Sequence, residues 1–218
     1  MSNYICLSYF LDENTPLYGG IKGITISEER SIEKGDTANT KKIQFNNHSG
    51  THVDFPNHFF INGLTSEYYS PDYWVFKSPF LIIKNTSQDT IINLTNEEIE
   101  SIPKETDFLI YKTGFGKFRD KESYWKNNPG FEPQVAEILR DNFPNLRVLG
   151  MDFISLTAFQ NRDLGRVAHR KFLGGENPIL LIEDMNLNLL ESQPKSLVCA
   201  PLLIKGIDGA PINIIAEI

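Results

Sequence analysis

Residues 46–60 read NNHSGTHVDFPNHFF and hold three of the four histidines of the 218-residue chain, with one aspartate among them. Neutral imidazole and carboxylate are common ligands of divalent metal ions, and one ion asks for three or four of them at about 2.0–2.2 Å. The backbone through this segment must therefore converge. On a strand alternate side chains share a face, so His52 and Asp54 point together. His48 stands four residues before His52, roughly 13 Å away in an extended chain, which is too far unless the chain bends. Gly50 can supply the bend, since glycine adopts reversed backbone conformations at no steric cost. Pro56 ends regular pairing and lets His58 approach from a loop. One segment can thus deliver three ligands, His48, His52 and Asp54, with His58 as a further, unligated histidine.

The remainder of the chain is that of an ordinary globular protein. Hydrophobic residues make up 40% and charged residues 22%, with no low-complexity run, no repeat and no Pro/Gly/Ser-rich linker. That length and make-up suit one domain over residues 1–218. The formal net charge is −7, with acids and bases interspersed. Nucleic acid and anionic membranes are excluded as main partners, because both need a clustered basic face. The N-terminus has no basic leader, and its apolar run is broken by Ser8 and Asp12, so neither signal peptide nor membrane span is read and a cytoplasmic location is expected. Cys6 and Cys199 are far apart and are expected as reduced core thiols.

Extended and helical signals alternate. Apolar runs of strand length occur at KKIQF, PFLIIK, DFLIYKTG, RVLGMDF, NPILLIED, LVCAPLLIKG and INIIAEI. Thr95 and Glu98 form a capping box for a short helix stopped by Pro103. Pro133 suits the first turn of a second helix, whose apolar stripe is Val135, Ile138 and Leu139 and whose end is marked by Pro144. A third helix, DLGRVAHRKFLGG, carries Leu164, Val167, Ala168 and Phe172 near helical spacing, ends at Gly174-Gly175, and includes His169. The fold class is α/β, a mixed β-sheet with flanking helices.

Other readings of the cluster stay open at this point. His52 and Asp54 with the distant His169 also fit the two-histidine, one-carboxylate face of non-haem iron oxygenases. Many such enzymes hold a co-substrate carboxylate with a basic residue soon after the distal histidine; here that stretch is ENPILLIED, apolar and acidic. The oxygenase reading also leaves His48 and His58 idle. A metal-binding protein without turnover is the third reading, although a structural site has no use for a free proton carrier such as His58. Taken alone, His169 reads as a surface or hydrogen-bonded histidine. Phe55, Phe59 and Phe60 read as core.

The motif HSGTHVDFPNHF resembles the H-x-G-T-H-x-D-x-P-x-H-F signature of the metal-dependent cyclase family, which includes bacterial kynurenine formamidase and isatin hydrolase. The resemblance extends along the chain through CLSYFLDENTPLYGG, DFLIYKTGFGKF, LGMDFISL, AHRKFLGGENPILLIEDMNL and LLIKGIDGAPINIIAEI. It implies a swivelling β/β/α fold and a homodimer or higher oligomer. It also implies zinc or manganese, one or two ions per chain. His48, His52 and Asp54 would bind one ion, with Asp54 bridging to a second held by His169 and Glu183, and His58 would be the acid/base. The implied activity is hydrolysis of a C–N bond in a small amide, aryl formamide or lactam. The chain departs from the family in Lys112-Thr113-Gly114, where Arg-Thr-Gly is usual, in Phe55, and in Ser155-Leu156-Thr157. The spacing from His169 to Glu183 is two residues longer than in the formamidases, which makes Glu176 and Asp184 the alternative acids.

Overall fold

The computed structural model describes residues 3–218. Its strands are β1 (Tyr4–Cys6), β2 (Ile24–Arg30), β3 (Thr40–Phe45), β4 (His52–Asp54), β5 (Val75–Phe76), β6 (Pro79–Ile83), β7 (Ile91–Ile92), β8 (Phe108–Lys112), β9 (Gly130–Phe131), β10 (Val148–Met151), β11 (Leu180–Glu183), β12 (Ser196–Pro201) and β13 (Gly209–Glu217). The helices are α1 (Asn96–Ser101), α2 (Ser123–Lys126), α3 (Gln134–Asn142) and α4 (Arg162–Leu173).

One large mixed sheet runs in the order β5-β12-β13-β4-β11-β10-β8-β6, with β1 also pairing with β13. The chain is α/β with a mixed sheet and few flanking helices, as the alternation of signals implies. Strands β6, β8, β10 and β11 are parallel. Of these, β10 and β11 are buried at every position, which is why they read as unbroken apolar runs: a parallel strand is covered on both faces. Strand β13 instead alternates buried and more exposed positions along Ile212–Glu217, the signature of an antiparallel strand with one wet face.

Short as it is, β4 joins the two halves, antiparallel to both β11 and β13. Val53, fully buried, pairs with Ile182 and Ala210 on the core face. His52 and Asp54 therefore point the other way, which sets the orientation of the site. Glu183 pairs with His52 across the ladder. Glu183 ends β11, and the segment after β10 lies beside it, so the site occupies the carboxyl ends of the parallel strands, where ligand crevices form in sheets of this kind.

Several local expectations are corrected. KKIQF is a strand, but it pairs with β2 in a separate two-stranded hairpin. In LVCAPLLIKG the strand stops at Pro201. On α4 the buried stripe is Gly165, Ala168, His169, Phe172 and Leu173, whereas Val167 is exposed, because the face turned to the sheet is the one that carries His169. Cys199 is buried but Cys6 is exposed, since β1 is a short strand added at one margin of the sheet with its cysteine on the outer side. Among the described residues no helix is long and apolar enough to cross a membrane.

Helix α1 has both halves of its capping box: Glu98 N donates to Thr95 Oγ1, and Thr95 N donates to Glu98 Oε2 at 2.8 Å. Glu98 also accepts from the Tyr111 hydroxyl of β8 at 2.9 Å. Replacing Thr95 by alanine is expected to cost about 1 kcal/mol of unfolding free energy, read from the midpoint of denaturant unfolding.

Candidate metal centre

Five side chains meet where β4, β11 and α4 come together. The Gly50 backbone is left-handed, φ 62°, so the chain reverses between His48 and β4 and turns the His48 ring back over the strand. His52 and Asp54 project from β4, Glu183 from the end of β11 and His169 from the buried face of α4. His52, Asp54, His169 and Glu183 are all 5% exposed or less.

Hydrogen bonds fix which nitrogen of each buried imidazole carries a proton. His52 Nδ1 lies 2.8 Å from the Gly50 carbonyl, and His169 Nδ1 lies 2.9 Å from the Gly165 carbonyl one helical turn back. A carbonyl only accepts, so each Nδ1 bears hydrogen and each neutral ring presents a lone pair at Nε2. Those lone pairs face carboxylate oxygens. His52 Nε2 stands 3.5 Å from Asp54 Oδ1 and 3.5 Å from Glu183 Oε2. His169 Nε2 stands 3.6 Å from Asp54 Oδ2 and 3.4 Å from Glu183 Oε1. Acceptors thus confront acceptors in a buried site, an arrangement that asks for a cation. Two donors about 2.1 Å from one ion at a tetrahedral angle stand about 3.4 Å apart, and the four separations match that figure. Each imidazole meets one oxygen from each carboxylate, so the donor set fits one divalent ion or a pair that shares Asp54.

Neighbouring groups hold the carboxylates in place. Glu183 Oε1 accepts from the Leu156 amide at 2.6 Å and from the Ser155 hydroxyl at 3.2 Å, which explains how Glu183 keeps its place despite the longer connection from His169. Neither alternative acid competes. Asp184 is held by the Arg119 guanidinium, Nη2 to Oδ2 at 2.7 Å, and by the Tyr124 hydroxyl. Glu176 is exposed on the turn after α4.

His48 and His58 form a second, wetter tier. His48 Nδ1 is 2.8 Å from Asp54 Oδ1 and its Nε2 is 2.9 Å from Asp208 Oδ2. Burial acts to lower the His48 pKa, but Asp54 and Asp208 together outweigh it and raise it to about 10. Burial likewise opposes protonation of His52 and His169, and the carboxylates raise both. For Asp54 the burial penalty is overcome by His48 and His52, which hold it well below the usual carboxylate range. His58 sits on a 3₁₀ turn, Pro56–His58, with its Nδ1 2.8 Å from Asp208 Oδ2.

All of this opens into a cavity of about 360 Å³ whose apolar wall includes Pro16, Leu17, Phe59 and Ile154. Phe59, read from sequence as core, is stacked on His169 with ring centroids 4.7 Å apart, while Phe55 is fully buried and Phe60 exposed. Arg162 and Arg166, one turn apart on α4, also line the cavity. Lys112 does not: its Nζ donates to the Leu190 carbonyl at 2.8 Å. Sequence reasoning passed over Asp208, Arg162 and Arg166. Only the chain's return to β4 in β13 places Asp208 here, and no local spacing announces it.

Comparison with known proteins places these residues in context. A family model described as "Putative cyclase" matches residues 5–158. Cyclase-like protein 1 of Arabidopsis thaliana is 31% identical over 193 residues, covering 85% of this chain and 72% of that one. Kynurenine formamidase of Bacillus cereus is 25% identical over 214 residues, covering 97% of this chain and 96% of its own. Among solved structures, isatin hydrolase A from Labrenzia aggregata superposes with a TM-score of 0.76 at 21% identity, covering 98% of this chain and 92% of that one.

Two outcomes are expected of the site itself. A Cβ on Gly209 would lie 2.3 Å from His48 Cε1 and 2.8 Å from both ring nitrogens, so Gly209→Ala should displace the ring and weaken metal uptake about 10- to 100-fold, by analogy with losses of ligand support. Elemental analysis after dialysis against limiting zinc measures this. Asp54 and Asp208 raise the His48 pKa to about 10 without an ion, so an ion that takes His48 as a ligand would have to displace its proton. Metal affinity should therefore climb with pH up to that value, and titration calorimetry in buffers of different ionisation enthalpy should register proton release at pH 7.

Proposed function

The chain belongs to the putative cyclase family, and from that membership we propose that it is a metal-dependent hydrolase of the C–N bond of a small amide, an aryl formamide or a lactam. The observation that carries this reading is the confrontation of two imidazole lone pairs with two buried carboxylates at 3.4–3.6 Å, beside a cavity that also holds His58. The kynurenine formamidase relative, matched over nearly the whole of both chains, supports the bond class. The donors are nitrogen and oxygen only, which suits zinc or manganese.

In this reading His48, His52 and Asp54 would hold one ion, and Asp54, His169 and Glu183 would hold a second. When bound, such an ion acidifies water to a pKa of about 7 and polarises a carbonyl. His58, its Nδ1–H directed to Asp208, takes the proton of the attacking water at Nε2. The water oxygen bonds to the carbonyl carbon, the C–N bond breaks, and His58 returns the proton to the leaving nitrogen, so one water is consumed and an acid and an amine result. Phe59, Leu17 and Ile154 offer an apolar wall, which favours a substrate with an apolar or aromatic part. Arg162 and Arg166 favour a substrate or product bearing negative charge. An oxygenase reading is less well supported, because Glu183 puts a second carboxylate on the face that a two-histidine, one-carboxylate iron centre leaves open.

The test separates binding from proton transfer. His58→Ala should retain its metal and lose roughly 10²- to 10⁴-fold in kcat on an aryl formamide or lactam that the unsubstituted protein turns over. His52→Ala and Asp54→Asn should lose the metal itself. Full activity per bound metal in His58→Ala would assign proton transfer elsewhere, and metal loss as severe as in His52→Ala would make His58 a ligand.

A further inference from the structure

Asp208 immediately precedes β13, 150 residues from His58 in sequence, and one of its oxygens meets two imidazoles. Oδ2 is 2.8 Å from His58 Nδ1 and 2.9 Å from His48 Nε2. The other oxygen, Oδ1, accepts from Asn47 Nδ2 at 2.8 Å, and the same amide reaches the Gly209 carbonyl at 3.2 Å. The backbone is pinned as well: Phe55 N donates to the Asp208 carbonyl at 2.9 Å, tying this residue to the end of β4. An ionised carboxylate only accepts, so both imidazole nitrogens that face Oδ2 carry hydrogen. His58 is thereby held as its Nδ1–H tautomer with the lone pair on Nε2, and His48 is turned so that Nδ1 faces Asp54.

We propose that Asp208 is a positioning residue: one carboxylate oxygen that orients the proton carrier His58 and the ligand His48 together. This rests on the reading of His58 as the acid/base. Without the acceptor nothing holds the His58 proton on Nδ1, and the Nε2–H tautomer, which has no lone pair at Nε2, competes. The rings of His48 and His58 lie 4.1 Å apart, tilted by 36°, so the same loss would free both rings at once. A merely structural ion pair would do something else: it would lower the melting temperature and leave both the tautomer and the activity per metal unchanged.

The experiment uses protein purified with zinc. Imidazole ¹⁵N spectra report the His58 tautomer, and kcat and KM are measured per bound metal on an aryl formamide or lactam. Asp208→Ala should shift His58 away from the Nδ1–H form and lower kcat per metal about 10- to 100-fold, with KM little changed. Asp208→Asn should do the same, and it serves if the alanine variant does not fold. Its single amide oxygen cannot face the histidines without setting its NH₂ against that of Asn47. Adding Asn47→Asp gives that NH₂ an acceptor, so the double variant should recover the Nδ1–H spectrum and much of the activity. The proposal is overturned if Asp208→Ala keeps the original His58 spectrum, or is as active per metal as the unsubstituted protein. Should the unsubstituted protein turn over no amide, the hydrolase reading fails, and the spectra still decide the role of Asp208.

Discussion

Two buried carboxylates looking at two imidazole lone pairs is the constraint on which the rest of the structure depends. Asp54 and Glu183 lie at the middle of the sheet, 1% and 3% exposed, where an uncompensated charge costs several kcal/mol. The fold nevertheless brings them together by its most rigid means: a ladder in which Glu183 pairs with His52, an amide from Leu156, and a helix whose own carbonyl aims the ring of His169. Such a cluster is stable only when positive charge enters it. An ion bound here would therefore contribute in part as free energy of folding, and the site is a component of the core as much as an addition to it.

Protons are the alternative source of that charge. Burial opposes the protonation of His48, His52 and His169, yet Asp54, Asp208 and Glu183 raise all three. For a group whose folded-state pKa lies above its unfolded value, the stabilisation is complete below the unfolded value and disappears as pH rises through the folded one. For His48 in the metal-free protein that window runs from about 6.5 to about 10. Within that window an ion that takes His48 as a ligand would have to displace the proton, so the two cations would compete for one set of acceptors.

What the sequence disclosed and what it withheld divide along chain distance. His48, Gly50, His52 and Asp54 are close neighbours, so strand alternation and one glycine were enough to bring them to one face, and the left-handed φ of Gly50 is the bend that the spacing requires. Thr95 and Glu98 were legible for the same reason. His169 read as an ordinary histidine until the resemblance placed it, because a helix gives no sign of what its face will meet. Asp208 and the arginines of α4 were passed over: the encounter of Asp208 with His58 depends on β13 returning beside β4, a pairing that no local pattern encodes. Lys112, which stands where the family usually has arginine, was legible in the sequence only as a departure: its long side chain bends to the Leu190 carbonyl instead of reaching the cavity.

Burial grades the site from floor to mouth, and the gradient suits the two tasks proposed for it. The side chains of Asp54, Glu183, His169 and His52 are between 1% and 6% exposed, whereas those of His48, His58 and Asp208 are 24%, 30% and 35% exposed. An ion held at the floor gains from low dielectric, since attraction to its ligands is little screened there. A proton carrier has the reverse requirement. It must exchange its proton with solvent between cycles, and a fully buried imidazole locked to a carbonyl, as His52 is to Gly50, has no route for doing so. His48 spans the two levels, with Nδ1 on Asp54 below and Nε2 on Asp208 above. With the proposed roles, a displacement of Asp208 at the mouth would reach the ligand shell at the floor through the His48 ring, while His58, which contacts Asp208 but not Asp54, would feel it only as a change in its own proton position.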